Sequence, residues 1–135
     1  MARGINFAIA LEGALKMKEL AYIHAEGMPA GEFKHGPLAL VDERTAIIAI
    51  NPRDETHSAM LNNIHEAKAR GAHIVGLSDV NNEVYDVFLP LPRVESLFYP
   101  LVSAIPLQLL AYNAALQRGC PIDQPRNIAK TVTTK

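Results

Sequence analysis

Glu12, Lys16 and Glu19 stand four and three residues apart in a stretch rich in helix formers, so on a helix they share one stripe, with the cation between two carboxylates. Two readings fit that spacing. A solvated ladder of ion pairs would add only about a few tenths of a kcal/mol. The alternative is an acid/base site, in which a carboxylate moves a proton beside a carbonyl while the ammonium holds or relays charge. His35, between Lys34 and Gly36-Pro37, is either a surface or capping histidine or a loop-presented imidazole that titrates near neutrality. Lys130 follows Arg126-Asn127-Ile128-Ala129 in a tail that is either a frayed terminus or a flap. In a flap, a desolvated lysine loses its proton and can form a Schiff base with a carbonyl.

The remaining candidates carry less. His24 falls on the apolar side of the same helix and reads as a core residue, while His57, His65 and His73 have no spacing that gathers metal ligands on one face. No metal is expected. Cys120, beside Pro121 and with only Arg118 as a basic neighbour, reads as a buried small residue and not as a nucleophile. There is no glycine-rich dinucleotide fingerprint and no P-loop, so no nucleotide or other cofactor is expected. A phosphate could meet a helix N-terminus after Ser78 or near Asp54 to Ser58, but no cluster of hydroxyls supports it there.

These residues need elements to hold them. Asn6 to Glu26 lacks proline and predicts a helix with Ala10, Leu11, Ala14, Met17, Leu20, Ala21 and His24 on one side. Gly27, Pro29 and Gly31 end it, and Glu32 to Leu40 reads as a short irregular or helical piece. Thr45 to Ile50 is an unbroken apolar run and predicts a strand covered on both faces. Asp54 or Thr56 caps a helix with Met60, Ile64 and Ala67 inward and Gly71 as its stop, and His73 to Leu77 and Val84 to Leu89 read as two more strands. Glu95 to Arg118 is a long helix read as buried, kinked or restarted at Pro106, and Cys120 to Lys135 is an extended tail. That order predicts an α/β fold: an open parallel sheet flanked by helices, with right-handed crossovers and a site beyond the carboxyl ends of the strands.

Composition narrows the function classes. At 135 residues and 49% hydrophobic, the chain fits one compact domain that needs neither disulfide nor metal to form a core. The single cysteine suits a reducing cytoplasm. Net charge is −1, from 13 basic and 14 acidic residues without a basic run, which argues against nucleic acid and anionic membranes as partners. Leu97 to Leu116 is interrupted by Pro100, Ser103, Pro106, Gln108 and Asn113 and reads as a buried helix instead of a membrane span.

Three segments together resemble one family: Ala10 to Glu19 with Tyr22-Ile23-His24-Ala25-Glu26; Gly31 to Leu40 through Lys34-His35-Gly36-Pro37; and Asp123-Gln124-Pro125-Arg126-Asn127-Ile128-Ala129-Lys130. They are similar to the carboxyl-terminal part of the glucosamine-6-phosphate synthases, the isomerizing glutamine:fructose-6-phosphate aminotransferases. The resemblance implies the second of that family's two sugar isomerase (SIS) domains over residues 1–119, with residues 120–135 as a tail capping the active site. It implies Lys130 as the lysine that forms a Schiff base with open-chain fructose 6-phosphate, with Ala129 beside it touching substrate, and His35 as the ring-opening histidine. Glu19 would be the base shuttling a proton between the first two sugar carbons, and Lys16 its assistant. Implied partners are a sugar phosphate, a second copy in a homodimer whose histidine reaches the neighbouring site, a first SIS domain and a glutaminase domain. Nothing here corresponds to the family's amino-terminal glutaminase cysteine or its phosphate-holding serine and threonine cluster, and Met1-Ala2 leaves the first strand truncated. The expectation is a domain fragment with little synthase activity alone. A non-catalytic sugar-phosphate-binding module of the same fold stays open as the alternative.

Overall fold

The computed structural model describes residues 1–128. Three parallel strands, β1 (Ala46–Ile50), β2 (His73–Ser78) and β3 (Val87–Pro90), lie in the order β1-β2-β3, with Ile48 opposite Val75 and Leu77 opposite Leu89. Side chains alternate across a strand, so the apolar run of β1 feeds two cores. Ile47 and Ala49 pack with Ile74 and with Met60, Ile64 and Ala67 of helix α2 (His57–Lys68). Ile50 and Leu77 pack on the other face with Ala10 of α1 (Phe7–Ala21) and with Tyr99 and Leu107 of α3 (Tyr99–Gln117). Helices thus cover both faces, as the element order requires. At the outer edge of β1, Ala2 forms parallel bridges to Ile50 and Pro29, and the Ile50 N–H donates to the Met1 carbonyl at 3.0 Å.

Close contacts at two glycines set the layers. A Cβ on Gly13 would meet Leu107 at 2.9 Å, so the bare backbone of α1 lets α3 lie directly against it. A Cβ on Gly76 would lie 2.3 Å from the Tyr85 ring. That space lets the loop from β2 to β3, residues 79–86, press Tyr85 onto the sheet. The crossover is correspondingly short for a parallel pair.

Several elements differ from the sequence reading. Helix α1 stops at Ala21 and not Glu26, because Tyr22 turns left-handed (φ 54°, ψ 36°) and its N–H closes onto the Met17 carbonyl. His24 therefore lies beyond the helix, an exposed side chain 3.5 Å from Glu26, and not in the core. The third strand begins at Val87 instead of Val84: Val84 and Tyr85 belong to the crossover, and Asp86 accepts the Ile74 N–H instead of lying within the strand. Residues Ala30–His35 and Pro37–Leu40 form two 3-10 turns. Helix α3 runs unbroken through Pro106.

The larger correction concerns the setting of α3. It buries Ser103, Leu107, Ala111 and Ala115 and leaves Leu101, Ile105, Leu109, Tyr112 and Leu116 exposed. Its composition is apolar all round, so the sequence alone could not divide a buried side from an open one. By length and apolar character Ser96–Gln117 meets the measure of a membrane-crossing helix. Its one-sided packing against α1 gives it instead the role of an outer layer on a parallel sheet.

Candidate active site at the end of helix α1

The last turns of α1 bring the charged stripe together as its spacing predicts. Lys16 Nζ donates to Glu19 Oε2 at 2.6 Å and lies 3.5 Å from Glu12 Oε1. The side chains of Lys16 and Glu19 are 27% and 28% exposed, so the pair is partly withdrawn from water, whereas Glu12 is more open at 42%. The hydrogen bond to Glu19 and the two negative charges raise the Lys16 pKa above its ordinary value despite some desolvation. Lys16 is thus a fixed ammonium at neutral pH, suited to orienting a carboxylate or stabilising negative charge, and not a neutral relay.

Glu19 faces a cavity of about 320 Å³ that it lines with Lys18, Tyr22, Ile23, His24, Arg126, Asn127 and Ile128. One wall is the end of α1 and the other is the tail. The tail is attached at two points: the Arg126 N–H donates to Tyr22 Oη at 2.8 Å, and the Arg126 guanidinium stands 4.1 Å from the centre of the Tyr22 ring. A carboxylate with a bound ammonium, facing a cavity edged by Lys18 and Arg126, can move a proton on an anionic substrate. Among the described residues, none from the carboxyl end of a strand lines this cavity. A second cavity of about 610 Å³ between α1 and β1 is walled mainly by apolar side chains such as Met17, Met28, Phe33 and Ile47, with the exposed His24 and Glu26 at its edge.

Of the other candidates, His35 stands exposed at the end of a 3-10 turn and lines neither cavity. Ala129 and Lys130 lie outside the described residues. Cys120 is half-buried, its Sγ 3.8 Å from the Ala21 carbonyl. Among the described residues no group of three or more His, Cys, Asp or Glu side chains gathers as a metal would need.

The two considered phosphate positions are already occupied by protein groups. Asp54 Oδ1 takes both the N–H and the hydroxyl of Thr56, placing a carboxylate at the start of α2. Ser78 Oγ donates to the Asn51 carbonyl at 2.6 Å. Nearby, Asp79 accepts the Arg53 N–H at 2.7 Å; desolvation pushes its pKa up, but the Arg53 hydrogen bonds prevail and hold it below the usual carboxylate value. This cluster ties the loops after β1 and β2 together. Tyr22 and Arg126 are the site residues that sequence reasoning missed. A left-handed tyrosine inside a helix-favouring stretch leaves no compositional signal, and pairing across 104 positions leaves none either.

The SIS domain family model matches residues 1–118. The chain is 50% identical over 139 aligned residues to a glutamine–fructose-6-phosphate aminotransferase (isomerizing) of Synechocystis sp., covering 100% of this chain and 22% of that protein. It is 53% identical over 137 residues to the one from Thermococcus kodakarensis, again covering all of this chain and 23% of the relative. Among solved structures it is similar to the C-terminal domain of glucosamine-fructose-6-phosphate aminotransferase from Francisella tularensis, with a TM-score of 0.84 and 44% identity over 90% of this chain and 36% of that one. The chain thus spans less than a quarter of the length of the curated relatives it matches.

Proposed function

Because the chain belongs to the SIS domain family, we propose that it is the ketose-aldose isomerising part of a glutamine:fructose-6-phosphate aminotransferase, acting in the cytoplasm on fructose 6-phosphate. The observation that carries this reading is the Lys16-held Glu19 carboxylate in the wall of a cavity whose other wall is the tail leading to Lys130. Identity of 50% across the whole chain to enzymes of that name supports it. Lys130 attacks C2 of the open-chain ketose, the carbinolamine loses water, and ammonia then adds to the Schiff base and displaces the lysine, leaving a ketimine at C2 that acidifies the proton on C1. Glu19 takes that proton and returns it to C2, while the Lys16 ammonium keeps the carboxylate aimed and tempers the developing negative charge. Residues 120–135 cap the site and limit water, Ala129 touches the sugar, and His35 opens the sugar ring in the neighbouring subunit's site.

Homodimerisation is supported by the exposed apolar row of α3. A first SIS domain supplies the phosphate-holding hydroxyls, and a glutaminase domain supplies the ammonia. The chain alone therefore forms little or no glucosamine 6-phosphate. The test replaces the matching segment of the Synechocystis relative with this chain and measures glucosamine 6-phosphate formed from fructose 6-phosphate and ammonia. Turnover by the chimera and none by the Glu19→Gln chimera supports the reading; equal turnover by both removes Glu19 from the mechanism, and robust turnover by the isolated chain removes the need for the other domains.

A further inference from the structure

Proton transfer uses one carboxylate of the Glu19 cavity and gives two of its cations no task. Lys18, in the last turn of α1, and Arg126, in the opposite wall, both line it. Among the described residues, neither side chain is paired with a carboxylate. Glu19, the one acidic residue among the described lining residues, is already answered by Lys16 Nζ at 2.6 Å, and His24 faces Glu26 at 3.5 Å. The carboxyl end of α1 adds about half a negative charge. Two cations outweigh that fraction, so the balance in the cavity is positive.

We propose that Lys18 and Arg126 form an anion site in this cavity, and that it takes a phosphate dianion, either inorganic phosphate or the phosphate group of a monoester. Arg126 is held in place for it. Its guanidinium stands 4.1 Å from the centre of the Tyr22 ring, and its backbone N–H donates to Tyr22 Oη at 2.8 Å. Contact with the ring occupies the face of the guanidinium and leaves its N–H edge, the part that engages phosphate oxygens two at a time. Lys18 adds a compact charge without a fixed direction, and the Asn127 amide in the same wall can donate a further hydrogen bond. A phosphate carries about −1.5 to −2 charges and three strong acceptor oxygens, which match two cations and an amide. A carboxylate, with one charge and two oxygens, leaves one cation unanswered. The site is separate from the hydroxyl cluster that the proposed function assigns to a first SIS domain, and it stands without any step of the isomerisation.

The test titrates the chain itself with sodium phosphate at constant ionic strength and follows the amide and Arg126 Nε–H resonances by NMR. Saturable binding is expected with a Kd of about 1–10 mM, the weak affinity of charges open to water, and acetate is expected to bind at least about tenfold more weakly. Arg126→Gln and Lys18→Gln, both at exposed positions, are each expected to raise the phosphate Kd about five- to tenfold. Arg126→Lys keeps the charge and loses the planar edge, and a rise of about threefold is expected. Glu19→Gln removes the negative charge from the wall and is expected to lower the Kd about threefold. Fructose 6-phosphate should move the same resonances as phosphate, and fructose should move none of them. Equal response to phosphate and acetate, or to fructose 6-phosphate and fructose, overturns the assignment to phosphate. An unchanged Kd in Arg126→Gln and Lys18→Gln overturns the site, and an unchanged Kd in Glu19→Gln places the anion outside this cavity and overturns it as well. No turnover is read, so an inactive chimera with normal phosphate binding by the chain overturns the isomerisation alone, whereas an active chimera with no phosphate binding by the chain overturns the anion site alone.

Discussion

Lys16 Nζ is held 2.6 Å from Glu19 Oε2, both side chains are partly withdrawn from solvent, and Glu19 lines the cavity that the tail also lines. A free ladder on a wet helix would leave its carboxylate without a cavity beside it. Here the cation engages Oε2 of Glu19, and on the proposed reading the other oxygen would carry the proton. Two substitutions separate the roles in the chimera described above. Glu19→Gln removes the base and is expected to lower the isomerisation rate by about 10²–10⁴-fold while glutamine hydrolysis continues. Lys16→Met leaves the base in place but loose, and a smaller loss of about tenfold is expected, mainly in kcat. Comparing glucosamine 6-phosphate formation from fructose 6-phosphate and ammonia with glutaminase activity in each variant checks both; a larger loss from Lys16→Met than from Glu19→Gln would reverse the assignment.

Acid stability should depend on Asp86. Its carboxylate accepts the Ile74 N–H at 2.7 Å, pairs with the Lys68 ammonium and faces His73 Nδ1 at 3.6 Å. The backbone hydrogen bond first, and Lys68 next, hold its pKa below the usual carboxylate value. A depressed folded-state pKa contributes stability that is complete above the unfolded value near about 3.9 and is lost as pH falls through the folded value. Thermal melts from neutral to strongly acidic pH should therefore show Asp86→Asn less stable than the parent at neutral pH, with the gap closing on acidification. Asp79 and Asp42, whose pKa values are likewise low, leave the variant a residual slope. A gap that is constant with pH would remove Asp86 from the acid transition.

The parallel sheet and the charged stripe were legible because both follow from local periods. Thr45 to Ile50 reads as a strand covered on both sides and forms one over Ala46–Ile50, and Glu12, Lys16 and Glu19 share a stripe because helical geometry puts them there. What the chain did not announce depends on distant partners. Tyr22 halts α1 within a helix-favouring segment, and with the helix ended, His24 leaves the apolar side to which periodicity assigned it. The start of β3 moves because Asp86 answers the Ile74 N–H, a tertiary contact that alternation of residue types cannot carry. The open side of α3 is hidden for a different reason: an all-apolar helix has no polar stripe to mark solvent.

Gly76 is expected to be intolerant of any side chain. A Cβ there would lie 2.3–2.4 Å from three atoms of the Tyr85 ring, and that ring is held by a hydrogen bond from Asn51 Nδ2 to Tyr85 Oη at 2.8 Å. Relief would require moving a buried aromatic ring and breaking its buried polar contact, so Gly76→Ala should cost at least about 1–3 kcal/mol. Urea unfolding checks this as a lower midpoint at unchanged slope. Adding Tyr85→Ala should restore part of the loss, because the second change removes the obstacle; strictly additive losses would show that the clash is not the cause.

The exposed row on α3 leads to the last expectation. Leu101, Ile105 and Leu109 recur at every fourth position with 68%, 57% and 56% of their surface open, continued by Tyr112 and Leu116. Such a row on a structured helix is an unmet hydrophobic contact, and burying it against a second copy would recover roughly 25 cal/mol for each Å² of apolar surface covered. The chain should therefore self-associate at micromolar concentration in sedimentation experiments. Ile105→Glu with Leu109→Glu should shift it toward monomer with little change in the unfolding of the dilute chain, because both positions already face solvent and glutamate is a good helix former. Association that survives the double change would place the dimer contact elsewhere. Flotation of the parent chain with neutral phosphatidylcholine vesicles, abolished by the same changes, would instead make lipid the occupant of the row and overturn its use as a protein interface.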